Sequence, residues 1–453
     1  MNQRSSFTSK IGFVLAAAGS AVGLGNLWRF PYLAAQYGGG TFLLVYLILA
    51  VTFGFALMVA EIAIGRKTGL SAIGAYKALD KRFGFVGVLT AIVPIIILPY
   101  YSVIGGWVIK YFVTFISGGT KAAADDSFFG NFIGSPIEPL GWFFLFMALT
   151  SIIVLFGVEK GIEKVSKVMM PVLVVLTLGV AIFVVTRPDA LDGVIYYIKP
   201  SFENFSFTTI LAAMGQLFYS MSLAMGIMVT YGSYMKKDNN LESSVRQIEL
   251  FDTAIAFLAG LMIVPATYMF NGNTAEGMKK GPTLMFVILP KVFDQMGGVG
   301  TIVGVAFFLL VFFAALTSSI SLMETVVSIV MDKTKWGRKL TCIVVTVFSL
   351  LMGIPSSLGF NIWGHITFLN GLTFLDLFDF VSNSVIMPIV AFFTCVLVGF
   401  FIKPKAIAEE VKVTDGKFKS EKLFTVMIKW IAPIFILGIL GFSVAEGMGW
   451  ISV

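Results

Sequence analysis

The apolar run that opens the chain is broken at its centre, where residues 18–31 read Ala-Gly-Ser-Ala-Val-Gly-Leu-Gly-Asn-Leu-Trp-Arg-Phe-Pro. Gly19, Gly23, Gly25 and Asn26 interrupt the run, and Arg29 follows shortly before Pro31. A simple membrane anchor has no use for such a break. Backbone freed from a helix at membrane depth survives only where it is buried in protein or lines a cavity. The string therefore predicts a helix that unwinds midway and offers free backbone groups to an ion and a solute.

Composition places the chain in a membrane. Hydrophobic residues make up 57% and charged residues 13% of 453 residues, too little polar surface for a soluble protein of this size. The net charge of +7 is scattered through short loops between apolar segments, which argues against nucleic acid as a partner. Cys342 and Cys395 both lie in apolar stretches and read as small buried residues with no disulfide or metal role. His365 stands alone, which excludes a histidine metal cluster, and no nucleophile–base pair is evident, so no enzymatic chemistry is expected.

Segments long enough to cross a hydrocarbon core of ~30 Å fall at 10–36, 40–65, 87–117, 141–158, 166–186, 207–234, 249–271, 300–330, 338–354, 373–402 and 425–448, eleven spans in all. Arg4 and Lys10 before the Ala-rich 16–18 mimic a signal peptide, but the apolar pattern continues past Asn26, Arg29 and Pro31, so the segment is expected to stay. Lys and Arg concentrate at the N-terminus and in alternate loops, from Arg66–Arg82 through Lys160–Lys167, Lys236–Arg246 and Lys333–Lys339 to Lys403–Lys422. The positive-inside rule then puts the N-terminus in the cytoplasm and the C-terminus outside, in a multi-pass plasma-membrane protein. The stretch 403–423 reads as a charged loop too short to fold alone, and 272–298 as an external re-entrant or capping loop. Five spans after the first break, Ser220-Met-Ser-Leu-Ala-Met-Gly226 interrupts the sixth span with small and polar residues. Breaks at matching positions predict an all-α inverted five-helix repeat, 10–186 and 207–402 with 425–448 added, in a single domain over 1–453 whose binding site lies between the breaks.

The first-span string with Gly38-Gly39-Gly40, Pro99-Tyr100-Tyr101, the stretch from Lys160 to Pro171, Gly215-Gln-Leu-Phe-Tyr-Ser-Met-Ser222 and Ala314-Ala-Leu-Thr-Ser-Ser319 together closely resemble the motifs of the neurotransmitter:sodium symporter family, in its bacterial amino-acid branch. The resemblance covers ten spans, and it implies a leucine-transporter-like fold with helices 1 and 6 broken. It also implies two sodium ions. The first would use the Ala21 carbonyl, Asn26, Ser220, Asp252 and the substrate carboxylate; the second would use the Gly19, Val22 and Ala314 carbonyls with the Thr317 and Ser318 hydroxyls. Hard oxygen donors of this kind suit a hard cation. For Thr317-Ser318-Ser319 alone, packing and hydroxyls bonded back to their own helix are the better explanation; taken with the first-span break, the string favours the ion site.

Asp252 stands where many relatives of this kind carry a neutral amide. Residues resembling the ligands of the family's bound chloride, Tyr46, Gln216 and Ser220, are present, but Ala256 replaces a hydroxyl. A carboxylate at 252 would itself supply the negative charge, so no chloride requirement is expected. The bland alternative pairs this acid with Lys236 or Arg246, although intramembrane acids are functional by default.

For the substrate, the resemblance gathers Ala21, Gly23, Leu24 and Gly25 of the first break, Ile97 and Tyr101 of the third span, Tyr219, Ser220, Ser222, Ala224 and Met225 of the sixth, and Ser318 and Leu322 of the eighth. Gly23 replaces the Asp of amine-selective relatives, which favours a zwitterion, and Ile97, Met225 and Leu322 favour a neutral, apolar or aromatic L-amino acid. Interhelical packing is the plain alternative for Met225 and Tyr219. Arg29 and Asp379 resemble an external gate beneath which Tyr101 and Tyr219 form a lid. Arg4 and Asp332, with Ser233, Tyr234 and Glu324, resemble a cytoplasmic latch in which Phe7 replaces a Trp. Arg4 as a topology determinant alone and Asp379 as a surface acid remain open. The expected activity is sodium-coupled import by alternating access. Its rivals are a proton-coupled permease, for which Asp252 and Glu324 are titratable, and a receptor that binds an amino acid without moving it.

Overall fold

The computed structural model describes residues 6–202, 205–270 and 282–450, and among them the chain is helical, with only isolated β-bridges. Thirteen helices carry the architecture. α1 (Lys10–Ala21) and α2 (Gly25–Gln36) form a pair bent by 52°; α3 spans Gly40–Thr68, α4 Lys81–Ile116, α5 Glu138–Leu155 and α6 Val158–Val185. α7 (Phe207–Ser220) and α8 (Ile227–Tyr234) follow, then α9 (Leu241–Phe270), α10 (Gly298–Thr334), α11 (Arg338–Leu358), α12 (Phe374–Phe401) and α13 (Glu421–Gly447). Among the described residues nine of these are long and apolar enough to cross a membrane singly, and the α1–α2 pair makes ten. The expected sixth span, 207–234, is two short helices, so a count of eleven requires taking α7 and α8 as one broken span. Most spans extend beyond their expected ends, because mixed stretches such as Leu241–Glu249, too polar to count as apolar run, continue the helix.

Each half of the chain opens on a broken helix, and the two breaks differ in construction. At the first, Ser9 caps α1 by accepting from the Gly12 N–H, and the helix ends where Val22 turns extended. Asn26 Oδ1 accepts the Gly23 N–H at 3.1 Å, and a π-turn over Gly25–Arg29 restarts the helix. At the second break Ser222, Ala224 and Gly226 have φ of 53°, 60° and 76°. L-residues with side chains are sterically disfavoured in that region unless their surroundings hold them there. Ser222 is held by its hydroxyl, which donates to Ser20 O at 2.9 Å, and Ala224 by its N–H, which donates to Glu61 Oε1 at 2.7 Å. Ser20 Oγ and Ser222 Oγ lie 3.1 Å apart, so the two breaks face each other.

α3 and α8 cross almost backbone to backbone. A Cβ on Gly65 would stand 1.9 Å from Val229 O, and one on Gly232 2.3 Å from Ile62 O. The expected plain loop after α12 is instead partly helical, over Lys403–Val411, and is packed against the bundle. Cys342 and Cys395 are buried and unpaired as thiols. The expected capping loop falls partly outside the described residues; beyond 281 it is helical, over Leu284–Ile288 and Leu289–Gln295.

Candidate functional site

Between the two breaks lies a small cavity of about 30 Å³, walled by α4 and α10 on its other sides. Of the residues expected around it, Ala21, Gly23, Leu24, Gly25, Ile97, Tyr101, Tyr219, Ser222, Met225, Ser318 and Leu322 line it, joined by Ser20 and Ile227. Ser220 and Ala224 do not: Ser220 turns toward Asp252 and Ala224 toward Glu61. None of the lining residues carries a charge. The Leu24 N–H points to Tyr101 Oη at 3.4 Å. Gly23 has no space for a side chain, since a Cβ would stand 2.8 Å from Ser318 Oγ and 3.2 Å from Tyr101 Oη. Gly25 is tighter still, at 2.4 Å from the Tyr219 ring.

Behind the first break sits a buried polar node. Asn26 Nδ2 donates to Asp252 Oδ1 at 2.8 Å and to Ser220 Oγ at 3.0 Å. Ser220 donates to Asp252 Oδ1 at 2.7 Å, and Tyr46 Oη to Asp252 Oδ2 at 3.2 Å. Asp252 is 0% exposed, and among the described residues no Lys or Arg pairs with it. Arg246 instead pairs with Glu249 at 3.2 Å, and its guanidinium lies 3.7 Å from the centre of the Phe55 ring; Lys236 reaches Thr8 O. The charge-pair alternative for Asp252 is thereby removed. A carboxylate so buried needs a compensating charge or a proton. Gln216 donates to Gly25 O at 2.8 Å, while its own carbonyl oxygen is buried without a partner.

The hydroxyls of α10 divide. Thr317 bonds back to Phe313 O and Ala314 O, and Ser319 meets Thr150 on α5, as packing hydroxyls do. Ser318 Oγ alone reaches across to α1, within 3.0 Å of Ser20 O and 3.5 Å of both Gly19 O and Val22 O. Three carbonyls from the end of α1 thus converge on one hydroxyl beside Thr317, whose Cβ lies 3.2 Å from the point where a Gly19 Cβ would stand.

Above the cavity, on the face where α1–α2 ends, a larger recess is lined in part by Arg29, Tyr219, Asp376, Asp379 and Glu446. Among the described residues Arg29 and Asp379 form no ion pair: Arg29 lies over the Tyr219 ring at 5.6 Å, and Asp379 accepts from Tyr100 at 3.0 Å and Asn383 at 2.6 Å. On the opposite face, where α1 begins and the Lys- and Arg-rich loops collect, Glu324 accepts from Tyr234 at 2.8 Å and is ion-paired with Arg338. Asp332 accepts the Ser71 N–H, and Ser233 bonds to its own helix at Thr230 O rather than joining the latch. Arg4 lies outside the described residues. Phe7, fully buried, fits edge-on against Phe13, Tyr231 and Tyr234.

Sequence reasoning missed Glu61, Ser20, Ile227 and Arg338. Glu61 was legible: it is an acid inside an apolar run, in the same class as Asp252. Arg338 reads as a topology charge, and Ile227 is one apolar residue among many.

The model of the Sodium:neurotransmitter symporter family matches residues 4–121 and 135–448. An uncharacterized sodium-dependent transporter of Bacillus subtilis (strain 168) is 36% identical over 95% of this chain and 96% of its own. One of Haemophilus influenzae (strain ATCC 51907 / DSM 11121 / KW20 / Rd) is 33% identical over 96% and 97%. The solved structure of MhsT in complex with L-phenylalanine superposes with a TM-score of 0.87 at 39% identity, over 97% of this chain and 100% of that one.

Proposed function

This chain belongs to the sodium:neurotransmitter symporter family, as a sodium-dependent symporter in the membrane, and from that premise we propose that it imports a neutral, apolar or aromatic L-amino acid. The observation that carries the substrate class is the uncharged lining of the cavity. A solute with net charge would be buried there without a counter-charge. A zwitterion brings both charges, its carboxylate directed to a sodium ion, the Tyr101 hydroxyl and the free amides at 23–25, its ammonium to carbonyls of the second break. Ile97, Met225, Ile227 and Leu322 then receive the side chain. The likeness to MhsT, solved with L-phenylalanine, supports an apolar or aromatic guest.

Two sodium ions accompany it. The first is held by the Ala21 carbonyl, Asn26, Ser220, Asp252 and the substrate carboxylate; Asn26 turns its amide so that Oδ1 rather than Nδ2 faces the ion. The second is held by the Gly19, Val22 and Ala314 carbonyls with Thr317 and Ser318. Each ion moving inward gains ~2.3 kcal/mol per 100 mV of membrane potential. Transport is chloride-independent in this reading, because the Asp252 carboxylate already accepts from Tyr46 and Ser220, the hydroxyls an anion would need. The basic face is cytoplasmic and α13 ends outside. Uptake into proteoliposomes under a sodium gradient, with chloride replaced by gluconate, tests this: an unchanged rate is expected, and collapse would contradict it. Asp252→Ala should lower sodium-driven uptake at least about a hundredfold, since the ion then enters a node that has lost its own carboxylate and has only the substrate's to meet it; a rate near that of the unaltered protein would reject Asp252 as a ligand.

A further inference from the structure

We infer that Arg66 and Glu410 are positioning residues for transport, through which the segment 403–420 anchors the turn after α8 to α3 and α9. The inference rests on the reading of the chain as a transporter whose second break rearranges.

α8 is a lever of eight residues, about 12 Å long. One end is the left-handed break beside the cavity; the other leads into the turn 235–240. That turn supports itself with bonds from the Met235 N–H to Gly232 O and the Asn239 N–H to Lys236 O. The rest of its support comes from outside. Arg66, at the end of α3, donates from Nε to Glu410 Oε1 at 2.8 Å, from Nη1 to Asn239 O at 2.8 Å and from Nη2 to Glu410 O. Lys237 Nζ meets the same carboxylate oxygen at 2.6 Å. Thr414 Oγ1 donates to Lys237 O at 3.0 Å and Asn239 O at 3.1 Å, and Asn240 donates to Asp415 at 2.6 Å. At the start of α9, Glu242 accepts the N–H groups of Lys419 and Ser420.

The Arg66 and Glu410 side chains are 0% and 5% exposed. Removing one partner of such a pair strands the other in a buried place. Gly65 and Gly232 already interlock α3 with the middle of α8, so the strap acts where that interlock ends. With both in place α3, α8 and the start of α9 move as one body. Without the strap the far end of α8 keeps the contacts of Tyr234 with Glu324 and Phe7 and of Lys236 with Thr8, but the turn 235–240 beyond it loosens, and motion at the break is passed on less fully.

The test is Glu410→Gln, read by hydrogen exchange of the purified protein and by uptake in proteoliposomes. Exchange over 227–240 should rise about tenfold or more while that over 300–320 stays unchanged. Substrate and sodium affinities should stay within about twofold, with maximal uptake falling about tenfold. Glu410→Asp should recover part of the rate. Asp415→Asn, on the solvated side of the strap, should shift the same readouts less, and carries the test if Glu410→Gln fails to fold. Unchanged exchange over 227–240, or affinity and rate falling together, would overturn the inference. The exchange result needs no transport, so failure of any variant to accumulate solute, the unaltered protein included, would strike the functional reading instead.

Discussion

The two faces of the bundle are closed to different degrees. On the basic face Phe7 is wedged among three aromatic rings, Glu324 is held by Tyr234 and Arg338, and Glu163 takes the Thr8 N–H, both the Thr8 and Ser9 hydroxyls and Lys167. On the opposite face Arg29 and Asp379 line the same recess without meeting, and Tyr219 forms part of both its floor and the wall of the cavity below. One face is held by the Glu324–Arg338 pair, the contacts of Glu163 and packed rings; on the other the proposed gate pair, Arg29 and Asp379, stands apart beside Tyr219. A transporter that opens to alternate sides needs contacts that are broken and remade; here, among the described residues, the contacts on the basic face are made while Arg29 and Asp379 on the opposite face stand apart.

This asymmetry is most vulnerable at Glu324. Glu324→Gln leaves the Arg338 guanidinium without its counter-charge, a loss on the order of 3–5 kcal/mol for a buried pair, so the seal should weaken. Initial uptake should fall at least about tenfold, and a cysteine placed at Leu322 should become reactive to a water-soluble maleimide added on the basic side. Asp379→Ala tests the opposite face, where the missing contact forms only on closure. A fall of about two- to tenfold in uptake, with substrate binding retained, is expected for one charged hydrogen-bond partner; transport at the full rate would remove Asp379 from the gate. Glu61→Ala leaves the Ala224 N–H buried and unpaired, costing about 1–3 kcal/mol, which thermal unfolding should register; an unchanged Tm would show that the second break does not depend on that acid. The mildest change is Phe7→Trp. A larger ring in a filled site costs about 1–3 kcal/mol, again visible as a lower Tm, with uptake within about twofold.

How far the sequence was readable differs between these regions. Both breaks could be read because glycine and hydroxyl residues inside apolar runs weaken a spanning helix unless the broken backbone serves a site, and Asp252 because an acid in a span stands out. Ser318 was ambiguous on sequence, since only the fold shows its hydroxyl crossing to α1 while Thr317 bonds back along its own helix. Arg338 and Glu410 escaped notice for one shared reason: a charge near a span end satisfies membrane topology wherever its side chain points, and only the fold shows that Arg338 turns inward to Glu324 and Glu410 to Arg66. The 403–423 stretch looked like plain loop because its buried apolar residues, Ile407, Ala408, Val411 and Phe418, are few and set among charged ones.

In the proposed function, sodium drives accumulation of an amino acid through the site between the breaks. Purified protein in proteoliposomes, offered a panel of labelled L-amino acids with an inward sodium gradient or with choline in its place, tests it most directly. Concentrative uptake of an apolar or aromatic member of the panel is expected with sodium alone, equal at pH 6 and pH 8 to within about twofold. Binding without accumulation, or uptake that follows a pH gradient and ignores sodium, would contradict it.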